Sequence, residues 1–360
     1  MKLLFSILDA GVGGGQRVAI EVARRLASQG NRIGLFVPNE GPAAEEFRAL
    51  GAAVHMADLR TLRHTSGVAP ASALARDYDL LYSHTSVPGE ILGARVVELA
   101  KITHVVHRHT DPYFSSRALA RSFQKRLYRR ELRAARFIAV AAHVGASLEL
   151  LGIECGRIAV VPNGVDVEVT RERRRGAVQR YGQFTVGALG RFDPSRGLDV
   201  FTQAARRVHE PGVTMVIGGA SGPFHEHEAA VRRSAGDIGV EVEHPGSSGV
   251  EFLASLDVVV IPSRYEGSPV TLFEAMALGK PIVASRIPGI AEVLETSGAG
   301  VLVPPGDPES LANAIRSLVA DPARREVLGR TALQTVRREH DLDNVLDRVV
   351  GVLRRAARVA

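Results

Sequence analysis

Short apolar runs alternate with glycine-rich turns and amphipathic stretches along the whole chain. KLLFSIL (2–8) is a continuous apolar run, DAGVGGG (9–15) follows it, and QRVAIEVARRLASQG (16–30) carries apolar residues at helical spacing up to Gly30. A continuous run predicts a strand buried on both faces, the 3.6-residue spacing predicts a helix, and the glycine suits a helix end. RIGLFVP (32–38), DLLYSH (79–84), THVVHRH (103–109), RFIAVA (136–141) and RIAVVPN (157–163) are further strand-like runs with helical segments between them.

The segment VEVTRERRRGAVQRYGQ (167–183) is charged, lacks apolar periodicity and is read as a connection between domains. The alternation then restarts with FTVGALG, LDVFTQAARRV, VTMVIGG, HEAAVRRSAGDI, VEVEHPG, GVEFLASL and DVVVIPS, and continues through PIVAS and GVLVPP to helical sequence from residue 308 onward. Strand–helix alternation with apolar strands predicts parallel sheets covered on both faces. The expected fold is α/β, with two Rossmann-like, doubly wound parallel-sheet domains facing across a deep cleft. The N-terminal domain is placed at 1–168 and the C-terminal domain at 169–340. Residues 341–360 form a helix expected to pack back toward the first domain. Ligands of such sheets bind beyond the carboxyl ends of the strands.

Composition narrows the function classes. Hydrophobic residues make up 45 % of the 360 positions and charged residues 23 %, as in ordinary globular chains. A single cysteine, Cys155, excludes a disulfide framework and a cysteine-based metal site. No apolar run reaches the ~18 residues of a membrane span. The apolar start breaks at Asp9 and runs into a glycine loop, so it reads as a first strand rather than a signal peptide. A cytoplasmic location is expected. The net charge is +6, but only Lys2, Lys101, Lys125 and Lys280 are lysines, so the arginine excess reads as coding bias. Stacking aromatics, zinc spacing and repeated basic fingers are lacking, which excludes the usual nucleic-acid readers.

Four stretches carry candidate chemistry. In GVGGGQR (11–17), glycines between a strand and a helix let an anion approach the helix N-terminus. A dinucleotide fingerprint needs a glycine where Gln16 stands, although Glu40 follows the second strand as a ribose carboxylate would. GRFDPSRG (190–197) occupies the same place in the second half, with Arg191 and Arg196 as a diphosphate clamp or as surface arginines. YEGSPVTLFEAMALGKP (265–281) sets Glu266 before a helix and Glu274 inside it. Ser268 is expected as the N-cap and Pro269 as the first helical residue, leaving the N–H groups of 270–272 open to an anion. HVVHRHTDPYF (104–114) brings His107 and His109 off one strand with Asp111 behind, without a third metal ligand at convincing spacing.

Together these residues resemble glycosyltransferase family 4, the retaining, nucleotide-sugar-dependent transferases of GT-B fold. The resemblance runs through GGGQRVAIEVARRLASQGNRIGLFV, VPNGVD, GRFDPSRGLDVFTQAA, DVVVIPSRYEGSPVTLFEAMALGKPIVAS and GVLVPPGDPESLANAI. It implies that Glu274 holds the donor ribose and that Glu266 contacts the transferred sugar. The backbone at Gly267, Ser268, Pro269, Val270, Thr271 and Leu272 would cradle the sugar and diphosphate. Arg191 and Arg196 match the basic pair at the leaving diphosphate, and Gly14 and Gly15 the loop that closes over it. His109 matches the histidine near the sugar. Pro245 and Gly246 would help read the base, and Gln16, His109 and Asp111 would face the acceptor. Two positions depart from the family pattern. Gln16 replaces a glutamate, and Arg196 replaces a lysine, keeping the charge but changing a point donor into a fork.

The implied reaction transfers a hexose, with retention and without a metal, from a nucleotide diphosphate sugar, UDP-linked ahead of GDP-linked. The acceptor would be the hydroxyl of a small molecule, a natural product or an envelope lipid. Two rivals stand beside it. A nicotinamide-dependent oxidoreductase would use Gly11–Gly15 and Glu40. A peripheral membrane or partner-binding protein would use the basic segment 117–136, which has eight basic residues, one acid and an apolar row of Leu119, Phe123 and Leu127.

Overall fold

The computed structural model describes residues 1–11, 13–56, 65–112, 118–174, 184–208, 210–244 and 249–358. Pro245 and Gly246 lie outside these residues, as does most of the loop after residue 56. Contacts divide the chain into two compact units, Met1–Pro162 with Val345–Ala360, and Asn163–Asn344.

The first unit alternates β1 (Lys2–Ile7), α1 (Gly14–Ser28), β2 (Arg32–Val37), α2 (Pro42–Ala49), β3 (Ala53–Met56), α3 (Thr65–Ala75), β4 (Leu80–His84), α4 (Val87–Ala100), β5 (Thr103–Arg108), α5 (Ala118–Glu131), β6 (Arg136–Ala139), α6 (Ala142–Leu150) and β7 (Ile158–Val160). Among the described residues its sheet has the order β3-β2-β1-β4-β5-β6-β7, parallel throughout. Every residue of β4 is buried, and β1 and β2 are buried from their second residue on. That is why these strands read as unbroken apolar runs rather than as alternation. β3 is half-buried at the sheet edge, and its AVHM gives no such signal.

The second unit holds α7 (Val167–Arg174), β8 (Phe184–Arg191), α8 (Leu198–Ala205), β9 (Val213–Ala220), α9 (His225–Gly236), β10 (Glu241–Glu243), α10 (Gly249–Ala254), β11 (Val258–Ile261), α11 (Val270–Ala277), β12 (Ile282–Ser285), α12 (Pro288–Ser297), β13 (Val301–Val303), α13 (Pro308–Ala320) and α14 (Pro322–Glu339). Its sheet has the order β10-β9-β8-β11-β12-β13, again parallel. Two apolar clusters cover its two faces. Phe201, Ile217 and Ile315 belong to one, and Leu253, Phe273 and Met276 to the other.

Residues 167–174, read from sequence as part of a connection, are helical in α7. Val167 and Thr170 are buried there, and one buried turn is too little to write a 3.6-residue pattern. Asn163 belongs with the second unit, where its Nδ2 donates to Ser268 O at 2.7 Å. The last helix, α15 (Leu342–Ala357), runs from the second unit into the first. Asp347 accepts from Arg25 at 2.7 Å, and Arg354 donates to Gln29 at 2.8 Å. No helix among the described residues is long and apolar enough to cross a membrane.

In both sheets the strand order reverses once, between β1 and β4 and between β8 and β11. At such a reversal the two adjoining loops leave in opposite directions and open a crevice at the carboxyl end of the sheet. The candidate residues collect at these two places.

Candidate functional site

In the second unit the crevice lies between the β8–α8 and β11–α11 loops. Arg196 comes from the first loop and Glu266 from the second, and Arg196 Nη1 donates to Glu266 Oε1. Ser263 Oγ donates to the same oxygen at 3.0 Å, and Glu266 is 8 % exposed. Burial, and then the nearby Arg191 guanidinium, pull the Arg196 pKa below the ordinary arginine value. Arg191, which faces Asp193 at 3.9 Å, and the partly desolvated Arg196 put two guanidiniums where an added anion would be favoured.

Residues that the sequence reading did not single out lock this arrangement. Arg264 grips Asp199 with both terminal nitrogens at 2.7 Å, and its backbone N–H donates to Ser195 O at 2.7 Å. The two loops are thereby tied together on either side of Arg196. Gly197, in the left-handed region at φ 65°, starts α8, and a Cβ there would fall 2.0 Å from Pro262 O. No spacing rule points to Arg264, because its partner lies 65 positions away.

The helix start differs from the expected one. α11 begins at Val270, Pro269 occupies the cap position, and no side chain caps the helix. Ser268 does not cap it because its hydroxyl accepts instead from Asn163 N–H at 3.1 Å. The outcome for an anion is favourable. Leu272 N–H is taken by Pro269 O at 3.1 Å, so of the three N–H groups expected to be open it is Val270 and Thr271, uncapped by any described side chain, that face an anion. Glu274 follows one turn inside α11 and is 8 % exposed. Glycine at 289 holds this loop in place. A Cβ there would lie 2.0 Å from Gly267 O and 2.6 Å from Glu266 O. Gly289→Ala is therefore expected to cost about 1–3 kcal/mol by overpacking against backbone and to displace Glu266. A fall in the thermal midpoint would report it, and an unchanged midpoint would show that the loop yields freely.

In the first unit the β1–α1 loop is closed by Asp9, whose Oδ1 accepts from Gly11 N–H at 2.8 Å and from Gln16 Nε2 at 3.1 Å. The Gln16 amide is thus turned inward to its own loop. α1 starts at Gly14 without a side-chain cap. The His109 ring lies against Gly15, where an added Cβ would sit 3.2 Å from His109 Cδ2. Asp111 accepts from Ser147 Oγ. A buried pair fixes the loop that carries His109 and Asp111. Arg108 Nη1 donates to Glu90 at 2.6 Å, while its Nη2 donates to Thr110 O at 3.1 Å and Asp111 O at 2.9 Å. Tyr128 donates to the other Glu90 oxygen at 2.8 Å.

The structure adds a third histidine to His107 and His109. His84 ends β4, and its Nδ1 lies 2.9 Å from His109 Nε2. Tyr82 Oη lies 2.6 Å from His107 Nδ1. Burial, with Arg108 as a lesser cause, holds the His109 pKa down at about 4, and burial drives His84 and His107 well below the usual imidazole range. Sequence distance hid His84, and only the β1–β4–β5 neighbour relation brings it in.

The features of the rival readings are engaged elsewhere or open. Glu40 accepts from Arg48 through both nitrogens, at 2.6 and 2.8 Å, on the surface. Along α5, Phe123 is 67 % exposed and Leu127 half-buried, while Tyr128 is fully buried. The Leu119 side chain lies outside the described residues.

Residues 12–169 match the family model described as Glycosyltransferase Family 4, and residues 183–321 the one described as Glycosyl transferases group 1. The chain is similar to the D-inositol 3-phosphate glycosyltransferase of Acidothermus cellulolyticus, with 29 % identity over 97 % of this chain and 87 % of that one. It is 26 % identical to that of Kribbella flavida over 90 % of this chain and 87 % of the relative. Among solved structures, Anabaena HepE in complex with UDP superposes with a TM-score of 0.85 and 21 % identity, covering 98 % of this chain and 99 % of that one. A glycosyltransferase from Rickettsia africae superposes with a TM-score of 0.86 and 16 % identity over 100 % and 99 %. The two parallel sheets with flanking helices are the GT-B fold of these structures.

Proposed function

Because the chain belongs to the glycosyltransferases, with a family 4 domain followed by a group 1 domain, we propose that it transfers a hexose with retention from a UDP-sugar to an acceptor hydroxyl. The observation that carries this reading is the Arg196–Glu266 pair at the strand-order reversal, beside the uncapped start of α11. A diphosphate at that helix start would meet N–H groups and the two guanidiniums of Arg191 and Arg196. This would stabilise the charge that grows on the leaving group without requiring a metal ion. UDP as carrier is supported by HepE, whose structures hold UDP and UDP-glucose. The relatives named for D-inositol 3-phosphate favour a small, polar, polyhydroxylated acceptor over an envelope lipid.

In the proposed step the acceptor oxygen bonds to the anomeric carbon as the bond from that carbon to the phosphate oxygen breaks. The departing diphosphate keeps the electron pair and takes the acceptor proton on the same face. Glu266, freed from Arg196 as the diphosphate takes over that cation, contacts the sugar hydroxyls. His109 is assigned by the family resemblance as a hydrogen-bond donor to the sugar. A thermal-shift series over UDP-, GDP- and ADP-sugars tests the donor, since a ligand stabilises by linkage only where it binds. NMR of the product's anomeric proton then tests retention. Stabilisation by GDP-sugars alone, or an inverted product, would overturn the reading.

Glu274 is assigned to the donor ribose. Glu274→Ala is expected to raise the donor KM about 10–100-fold, from loss of charge-assisted hydrogen bonds, and to leave the anomeric outcome unchanged. Loss of turnover at unchanged donor KM would remove it from that role.

A further inference from the structure

Three imidazoles and a phenol cluster toward the carboxyl ends of β4 and β5, with the Tyr82 ring edge-on to His84. His107 and His109 rings lie 4.5 Å apart at 21°, and His84 and His109 rings 5.2 Å apart at 29°. Their ligand atoms lie within 4.8 Å of one another. A tetrahedral ion with nitrogens at 2.0–2.1 Å would draw three ligands to about 3.4 Å apart. It must also lie in the plane of each ring, which one ion cannot do for two rings stacked nearly face to face. The contact the rings do make is the 2.9 Å bond from His84 Nδ1 to His109 Nε2.

One of these two nitrogens carries the shared proton, and burial decides which. His84 is 6 % exposed and its Nε2 is buried with no partner among the described residues. If His109 donated, neutral His84 would carry its proton on Nε2, an orphaned buried N–H. If His84 donates, only a bare lone pair is left there. Orphaned buried donors are the rarer defect. The charged groups around His109 agree with a neutral ring, because His84 comes from β4, His107 and Arg108 from β5, and α1 presents only Gly15.

We propose that His84 is a positioning residue that donates its Nδ1–H to His109 Nε2, so that neutral His109 keeps its own proton on Nδ1 and offers that N–H to the reacting sugar. This rests on the transferase reading for the sugar, but the tautomer itself does not. The carboxylate of a catalytic triad fixes its histidine by accepting a proton; here a second imidazole does so by donating one. The arrangement supplies a hydrogen-bond donor while adding no positive charge that would compete with the guanidiniums for the diphosphate.

The test uses the full chain with 15N-labelled histidine. Ring-nitrogen NMR is expected to show His109 protonated at Nδ1 and bare at Nε2. A proton on Nε2 overturns the proposal, and so does one equivalent of zinc in the purified protein that His84→Phe removes. His84→Phe keeps an aromatic ring but no donor. It is expected to lower kcat about 10–100-fold, less than the loss of a preorganised donor outright because His109 itself remains, with the donor KM unchanged. It should also bring a new acid inflection in kcat somewhat above pH 4, because Nε2 loses the N–H that opposes its protonation while burial and Arg108 still hold His109 below the ordinary imidazole value. His84→Asn, whose amide can donate to His109, should recover most of the loss. Equal impairment in both variants with no new inflection would mean packing alone and would refute the proposal. If His84→Phe does not fold, the wild-type spectrum still decides. Full activity of His109→Ala would instead sink the role of His109 in transfer while leaving the tautomer standing.

Discussion

Arg196→Ala is expected to lower kcat about 10²–10³-fold, the range seen when one preorganised donor to a developing oxyanion is removed. Arg196 is the partly desolvated member of the cation pair, and among the described residues it is the one that bonds Glu266 across the two loops. Removing it takes positive charge from the leaving group and leaves Glu266 with Ser263 as its remaining described partner. The structural cost stays near 1–2 kcal/mol, because 29 % of the Arg196 side chain is in solvent and screening discounts the pair. Arg196→Lys keeps the charge and loses the fork, so it should retain most of the activity, within about tenfold of wild type. Steady-state kinetics with saturating donor separates these effects. Arg196→Ala within threefold of wild type would remove the residue from the mechanism.

The second large effect is acid lability of the first unit. His84, His104, His107 and His109 all have lowered pKa values, to about 3 for His104 and about 4 for His109, with burial the first cause in each. In the unfolded chain each titrates near ~6.5. As the pH falls through ~6.5 the unfolded state takes up protons that the folded state refuses, so stability is full above that value and falls toward pH 4. Each such group contributes about 1.4 kcal/mol per pH unit. The four together set a ceiling of about 5.5 kcal/mol per unit, and the shared bond of His84 and His109 keeps the sum below it. Urea midpoints at pH 7.5, 6 and 5 should fall steeply, with three to four protons taken up on unfolding. A flat profile across that range would show that the histidines are solvated. Ser83, whose hydroxyl lies 2.8 Å from His104 Nε2, offers a control. Ser83→Ala removes a partner but no titrating group, so it should lower stability equally at all three pH values.

The alternation of strands and helices was legible because strands buried on both faces are written as unbroken apolar runs, as in KLLFSI and VVVI. The placing of Glu266 in a loop and Glu274 in a helix was legible from the proline and the apolar run after it. The cap was not. Ser268 has the right chemistry for its own helix, but its hydroxyl is engaged by a backbone N–H 105 positions earlier, and local rules see no such competitor. His84 escaped notice for a related reason. Its meaning depends on β4 lying between β1 and β5, which no spacing encodes. Gly289 reads as an ordinary residue in the first turn of α12 until the carbonyls of Glu266 and Gly267 are seen beside it.

The course of α15 bears on how the chain is made. The second unit is one uninterrupted segment, whereas the first takes its last helix from residues 345 onward. During synthesis the first unit must wait, with the surface that receives Val349, Val350 and Leu353 uncovered, while the whole second unit emerges and can already close. The second unit is therefore the independent folder, and the first is finished from behind. A truncated chain stopping before residue 345 should hold a settled second unit and a first unit that chaperones still recognise.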